Sequence, residues 1–249
     1  MPTLNGRVAI VTGSARNIGR ATALMLAREG AAVMVHARAD AAGVAETVAQ
    51  LRAAGATAES YLADLSTEAG ATALVAATIA KLGRLDILVN NAAVRRNTPI
   101  TEMTLAEWRE VLGASLDASF LTTRAAVPHM IAGHWGRIVN LGGISMFSGL
   151  AGRAHVSAAK AGMVGMTRSL ATELGPHGIT VNVVAPGAIA TERGAAAGAR
   201  PTASSTSGIP AGRDGRPEEI AHIVTMLCSP DAAYTTGQTI EVNGGRHYS

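Results

Sequence analysis

The segment Arg7-Val8-Ala9-Ile10-Val11-Thr12-Gly13-Ser14-Ala15-Arg16-Asn17-Ile18-Gly19 decides the fold. Arg7 to Thr12 is a short run of mainly apolar, β-branched residues, the pattern of a strand buried on both faces. It ends at a glycine. A helical stretch follows from Arg20 to Glu29, and Gly30 stops it. Ala32 to His36 is a second apolar strand. Strand, glycine-rich turn, helix and strand in this order make a βαβ unit of the dinucleotide-binding kind. Gly13 allows the tight turn and Gly19 the close packing of helix on strand. The helix N-terminus, with Ser14, Arg16, Asn17 and Ile18 around it, offers unpaired N–H groups to a pyrophosphate.

The alternation continues to the end of the chain. Helical patterns cover Ala41 to Ala54, Thr67 to Leu82, Leu105 to Met130, Ala154 to Leu174 and Pro217 to Cys228. Strand patterns cover Ala58 to Leu62, Leu85 to Val89, Arg137 to Leu141, Ile179 to Val184 and Gln238 to Val242. Strands alternating with helices imply an α/β fold whose parallel sheet is covered on both faces. No internal repeat or linker divides residues 1–249, so one domain is expected. Gly194 to Gly215 is rich in Ala, Gly, Ser and Thr and has no periodicity. Such a long stretch reads as a mobile substrate loop.

Composition narrows the function classes. Hydrophobic residues make up 48% and charged residues 16%, which supplies a large core and argues against disorder. The single cysteine, Cys228, excludes an internal disulfide framework and a cysteine-rich zinc site, and no metal site is expected. The formal charge is +3 with no block of Lys or Arg, so nucleic acid is not an expected partner. The chain shows no signal peptide and no segment long enough to span a bilayer, so a cytoplasmic location is expected.

Thr12-Gly13 with Gly19, Asn90-Asn91-Ala92-Ala93, Lys160, Pro186-Gly187 with Thr191, and Asn243-Gly244-Gly245 recur in a fixed order and spacing. In these the chain resembles the short-chain dehydrogenases/reductases, and within them the 3-oxoacyl-carrier-protein reductase branch, over nearly its whole length. The resemblance implies a doubly wound, seven-stranded Rossmann-type domain, a nicotinamide cofactor, a small-molecule substrate and a homotetramer. It also implies that Asp64 and Leu65 contact the adenine. Asn90 and Ala92 would let the backbone approach the cofactor, Pro186, Gly187 and Ile189 would flank the nicotinamide, and Thr191 would hold its carboxamide. The family has a glycine where Asn17 stands, and Asn tolerates positive φ better than most residues.

Cofactor choice is read at the end of the second strand. A carboxylate there would bind a ribose 2′-hydroxyl. Ala37 is neutral, Arg38 follows it and Arg16 lies in the turn. Two guanidinium groups suit a 2′-phosphate, which favours NADP(H); the alternative is that both face solvent.

The catalytic half departs from the family. The family uses a tyrosine four positions before the lysine, a serine thirteen before that, and an asparagine on the long preceding helix. Those positions here are Val156, Gly143 and Ser115, so Lys160 alone remains. Lys160 is expected to hold the nicotinamide ribose. His155 is a candidate acid or a packing residue. Ser145 is a candidate polariser of the substrate or a loop serine. Arg95 and Arg96 are candidates for an anionic substrate or belong to the solvated surface. The chain is similar at position 156 to dienoyl-thioester reductases, which add hydride to a conjugated double bond. Two outcomes therefore stand open: an atypical oxidoreductase, or a nucleotide-binding pseudoenzyme that senses or scaffolds.

Overall fold

The computed structural model describes residues 3–191 and 208–248. The strands are β1 (Val8–Val11), β2 (Ala32–Ala37), β3 (Ala58–Leu62), β4 (Ile87–Asn90), β5 (Gly136–Leu141), β6 (Ile179–Pro186) and β7 (Thr239–Val242). The α-helices are α1 (Asn17–Arg28), α2 (Ala41–Ala53), α3 (Glu68–Leu82), α4 (Leu105–Leu112), α5 (Ala118–Ala132), α6 (Ser145–Ser148), α7 (Ala154–Leu174) and α8 (Pro217–Cys228). All seven strands form one sheet in the order β3-β2-β1-β4-β5-β6-β7, and every neighbouring pair is parallel. The winding direction reverses between β1 and β4. Connections leaving those two strands diverge, which opens a crevice at their C-terminal ends.

Period-two alternation divides the core between the two faces of the sheet. Ala9, Val11, Val33, Val35, Ile87 and Val89 pack on one face with Leu26 of α1 and Ile220, Val224 and Leu227 of α8. Ile10, Met34 and Leu88 point the other way, onto Leu74 of α3, Met130 of α5 and Leu174 of α7. Strands buried on both faces explain why their sequences read as nearly continuous apolar runs.

Several boundaries differ from the sequence pattern. The helix expected over 105–130 is interrupted by a π-helical segment, Gly113–Asp117, and resumes as α5 to Ala132. β4 begins at Ile87 because Asp86 is used as a clamp. Its carboxylate accepts from Val8 N at 2.9 Å and from Arg7 and Arg84. α6 carries Ser145 and was not foreseen as a helix. Of the expected substrate loop, residues 194–207 lie outside the described residues; Ile189 and Gly215 form a parallel bridge at its base. Among the described residues no helix is long and apolar enough to cross a membrane.

Candidate dinucleotide and catalytic site

The turn after β1 is held from three sides. Thr12 Oγ1 accepts from Asn91 N and Ala92 N, each at 2.9 Å, which ties the end of β1 to the loop after β4. Asn91 Nδ2 returns two bonds, to Thr12 O at 2.9 Å and Gly13 O at 3.0 Å. From the other flank, Gly13 N donates to His36 Nδ1 at 3.2 Å. That leaves the proton on His36 Nε2, which donates to Ala63 O at 3.0 Å. Burial lowers the pKa of His36, so the neutral tautomer needed for this clasp is favoured. Underneath, Thr47 Oγ1 and the Arg20 guanidinium bond the carbonyls of Ser14 and Ala15, and Glu46 holds Arg20 in place.

This turn fits a pyrophosphate on four counts. Gly13 has φ +63° and a Cβ there would sit 3.0 Å from Ala92 Cα. At Gly19 a Cβ would lie 2.3 Å from Gly13 O, so α1 approaches the turn as closely as only glycine allows. Asn17 adopts φ +53°, the conformation its amide tolerates. The fourth count is the helix end. Asp40, Thr67 and Thr104 cap α2, α3 and α4 with their side chains, but α1 has no side-chain cap and no acidic residue in its first turn. The positive end of its dipole, with no capping side chain over it, suits an anion.

Motif positions do not all present their side chains. Ser14 is fully buried; its hydroxyl donates to Val11 O at 2.6 Å and accepts from His36 N at 3.0 Å. Ile18 packs with the α1–α8 face of the core, and Leu65 with the opposite face. Asn90 Nδ2 donates to Asn140 Oδ1 and Thr123 Oγ1 while its Oδ1 accepts from Thr122, all inside the protein. With their side chains turned inward, these four face the crevice through their backbone, as expected for Ser14, Ile18 and Asn90, whereas Leu65 was expected to contact the adenine. Asp64 Oδ1 is taken by Ser66 N and Oγ at 3.0 and 2.7 Å, which holds its carboxyl below the usual range, with the Arg38 charge adding to the effect. Arg16 and Arg38 are both exposed. At the other end of the crevice Pro186 closes β6, and a Cβ on Gly187 would lie 2.7 Å from Asn243 Cα. Ile189 leans on the core, and Thr191 is half-buried.

Lys160 lies on α7, one helical turn after Val156. Its Nζ is buried, donates to Leu141 O at the end of β5, and lies 3.9 Å from Met163 Sδ. Burial, and secondarily the Arg95 charge, lower its pKa to about 7. Val156 is buried, and Gly143 borders open space: a Cβ there would meet nothing within 4 Å. Ser115 is buried in the π-helical segment, a feature that often marks functional sites. Ser145 offers its carbonyl to Ser157 Oγ at 3.0 Å, which ties α6 to α7.

The geometry counts against two expectations. His155 is completely buried; its Nδ1 accepts from Val156 N, and its Nε2 donates to Glu107 Oε1 at 3.1 Å. Thr98 Oγ1 bonds the same oxygen at 2.5 Å. Both ring nitrogens are engaged, so His155 fastens α7 to α4 and the loop after β4 and presents no proton to a substrate. Arg96 is held by both oxygens of Glu110, at 3.0 and 2.9 Å, and so is not poised for an anionic substrate. Sequence reasoning overlooked His36, Asn91, Arg20, Thr47 and Glu107. An imidazole inside an apolar strand and a doubled asparagine were the available signals. Among the described residues no cluster of His, Cys, Asp and Glu suits a metal ion.

Sheet order, switch-point crevice and glycine cradle define an α/β protein of the Rossmann type. A family model described as Enoyl-(Acyl carrier protein) reductase matches residues 13–247. The 3-oxoacyl-[acyl-carrier-protein] reductase of Synechocystis sp. is 40% identical over 246 residues, covering 98% of each chain. The (2S)-[(R)-hydroxy(phenyl)methyl]succinyl-CoA dehydrogenase subunit BbsD of Thauera aromatica is also 40% identical, over 98% of this chain and 97% of its own. A crystal structure assigned as a short-chain alcohol dehydrogenase from Sinorhizobium meliloti superposes with a TM-score of 0.91 at 35% identity, covering 98% of this chain and 97% of the other. The chain belongs to the short-chain dehydrogenase/reductase family of oxidoreductases.

Proposed function

We propose that this chain is an NADP(H)-dependent oxidoreductase that acts on a carbonyl or a conjugated double bond with a non-standard proton source. The observation that carries the cofactor choice is the uncapped α1 N-terminus flanked by exposed Arg16 and Arg38, with neutral Ala37 at the ribose end. Two guanidinium groups attract a 2′-phosphate, and nothing at Ala37 repels one. When bound, the reduced nicotinamide supplies a hydride. The chain's own residues do the rest. Backbone N–H groups of the turn hold the pyrophosphate, and the backbone at Asn90, Ala92, Pro186 and Gly187 walls the crevice. Ile189 and Thr191 flank its nicotinamide end, and Lys160 reaches the adjacent ribose. Ser145, two residues after Gly143, offers a hydroxyl close in the chain to the position the family gives its serine. The names of the relatives make carbonyl and enoyl groups next to a thioester the first classes to assay.

Titration calorimetry tests the cofactor choice. NADPH should bind more tightly than NADH, and the margin should shrink as salt screens the arginines. Equal affinity for the two, or a preference for NADH, refutes it. NADPH consumption against ketones, quinones, imines and enoyl thioesters tests the reaction. One feature supports a second reading, a nucleotide-binding pseudoenzyme: apolar Val156 and bare Gly143 stand where the family has its donors. Tight NADPH binding without turnover of any panel member would favour it. Assembly as a homotetramer is part of the proposal, supported by exposed Leu105 and Phe120 on α4 and α5; light scattering that reports a monomer rejects it.

A further inference from the structure

We propose that Lys160 is a carbonyl-capturing amine: its Nζ condenses reversibly with a small aldehyde or ketone that enters from the open space at Gly143. This goes beyond hydride transfer and does not need a bound cofactor.

Three observations converge on it. First, Lys160 is buried without a counter-charge. Its amine has a peptide carbonyl, Leu141 O, and a thioether, Met163 Sδ, as its neighbours, and no carboxylate among the described residues contacts it. Buried ammonium groups are normally paired, because an unpaired one is expensive to desolvate. Second, the only named charge acting on it has the same sign. Burial and the Arg95 guanidinium both favour the neutral amine, bringing its pKa to about 7. Desolvation and a neighbouring cation are the two devices that activate a lysine as a nucleophile toward carbonyls. Third, there is room. Two residues beyond the Leu141 carbonyl, Gly143 borders open space, and the helix face one turn before Lys160 carries Val156 with no polar atom on its side chain. Apolar Val156 and the open space at Gly143 suit the approach of a small uncharged carbonyl compound.

The step balances without an oxidant or reductant. The nitrogen lone pair forms the C–N bond while the C=O π pair moves to oxygen. The proton lost from nitrogen ends on that oxygen, giving a carbinolamine. Loss of water then gives the imine, and addition of water reverses both steps. Protonated on nitrogen, the imine makes the captured carbon more electrophilic. Donors at positions 143 and 156 would have achieved the same by bonding the carbonyl oxygen.

The sequence provides its own control, since Lys81 and Lys160 are the only lysines. Lys81 is exposed on α3 and pairs with Glu59 at 3.3 Å. The test uses the full-length, cofactor-free protein and acetylacetone, a diketone that condenses with neutral amines to a stable, light-absorbing product. Peptide mass mapping reads which lysine reacts. At pH 7.5 an amine with a pKa near 7 is about 10²–10³-fold richer in its neutral form than an ordinary lysine, so Lys160 should react at least ~10-fold faster than Lys81. Its rate should be half-maximal near pH 7, and the advantage should vanish in urea. Lys160→Arg should remove the adduct and leave Lys81 labelling unchanged. Equal or faster reaction at Lys81, no adduct at Lys160, or an advantage that survives unfolding overturns the proposal. NADPH titration is a separate measurement, so failure here leaves the cofactor reading intact, and the reverse holds.

Discussion

Gly19→Ala probes the cradle most directly. The added Cβ would sit 2.3 Å from Gly13 O, 2.7 Å from Asn91 Nδ2 and 2.8 Å from Ser14 Cα. Carbon–heavy-atom contacts settle at about 3.2–3.8 Å, so α1 must retreat from the turn by about 1 Å. The obstructing carbonyl cannot swing away, because Gly13 O is held by Asn91 and the Gly13 amide by His36. Overpacking of this kind costs about 1–3 kcal/mol, and the better helix propensity of alanine returns at most about 1 kcal/mol. The net loss of stability is therefore about 0–2 kcal/mol, and the variant should fold. Ligand binding should suffer more. A 1 Å shift of the helix N-terminus forfeits about one charge-assisted hydrogen bond, worth about 1.5–3 kcal/mol, so NADPH affinity should fall about 10–150-fold. Urea denaturation and calorimetric titration of the same preparation separate the two effects. A folded Gly19→Ala protein that binds NADPH within twofold of wild type would refute the account of the cradle.

Three further outcomes are expected. Gly143→Ser with Val156→Tyr should create or raise ketone reductase activity by about 10²–10⁴-fold, because a serine at 143 meets no obstacle and a tyrosine at 156 would lie one turn from Lys160; unaltered NADPH binding without any ketone reduction refutes it. Folded Lys160 releases its proton near pH 7 while the unfolded chain keeps it to about 10.4, so stability should rise with pH across that window, by at most about 5 kcal/mol; Lys160→Met should flatten this slope in denaturation curves, and an unchanged slope rejects it. His155→Ala should cost about 1–3 kcal/mol by leaving Glu107 short of a donor, read as a lower melting temperature; turnover by the folded protein, where wild type shows any, should stay within tenfold, and its abolition would restore His155 as the acid.

What the sequence made legible follows from how local each signal is. The run Val8–Val11 and glycines 13 and 19 state their constraints within a few residues, so strand, turn and helix could be read directly. The π-helical segment could not. Gly113 to Asp117 contains nothing that distinguishes it from ordinary helix. The segment lies where α7 crosses closely enough that a Cβ on Gly162 would meet Leu116 Cδ2 at 2.8 Å. A motif also identifies a position but not the direction of its side chain. Ser14 and Asn90 occupy the expected places and face inward. His155 looked like a substitute acid because it adjoins position 156 in sequence. Its actual partner, Glu107, lies 48 residues away.

The two halves of the crevice are built to different tolerances, so that the catalytic site proposed above can vary at positions 143 and 156 without loss of the fold. In the cofactor half Thr12 and Gly13 are bonded to Asn91, Ala92 and His36, and a Cβ at Gly19 would collide with backbone. Substitution there disturbs several bonds at once. In the catalytic half the framework runs beneath the site. Asn90, Asn140, Thr122, Thr123 and Thr167 join β4, β5, α5 and α7, and His155, Glu107 and Thr98 fasten the start of α7. None of these bonds uses a side-chain atom of residue 143 or 156. Residues 143 and 156 can therefore vary at little cost to stability. Lys160 is held on the Leu141 carbonyl with valine at position 156. Chemistry at this end is thus free to change while cofactor geometry stays fixed. Within the scaffold the buried amine of Lys160 is the group whose reactivity such a change alters most, because a neighbouring phenolate would have favoured its charged form and valine does not.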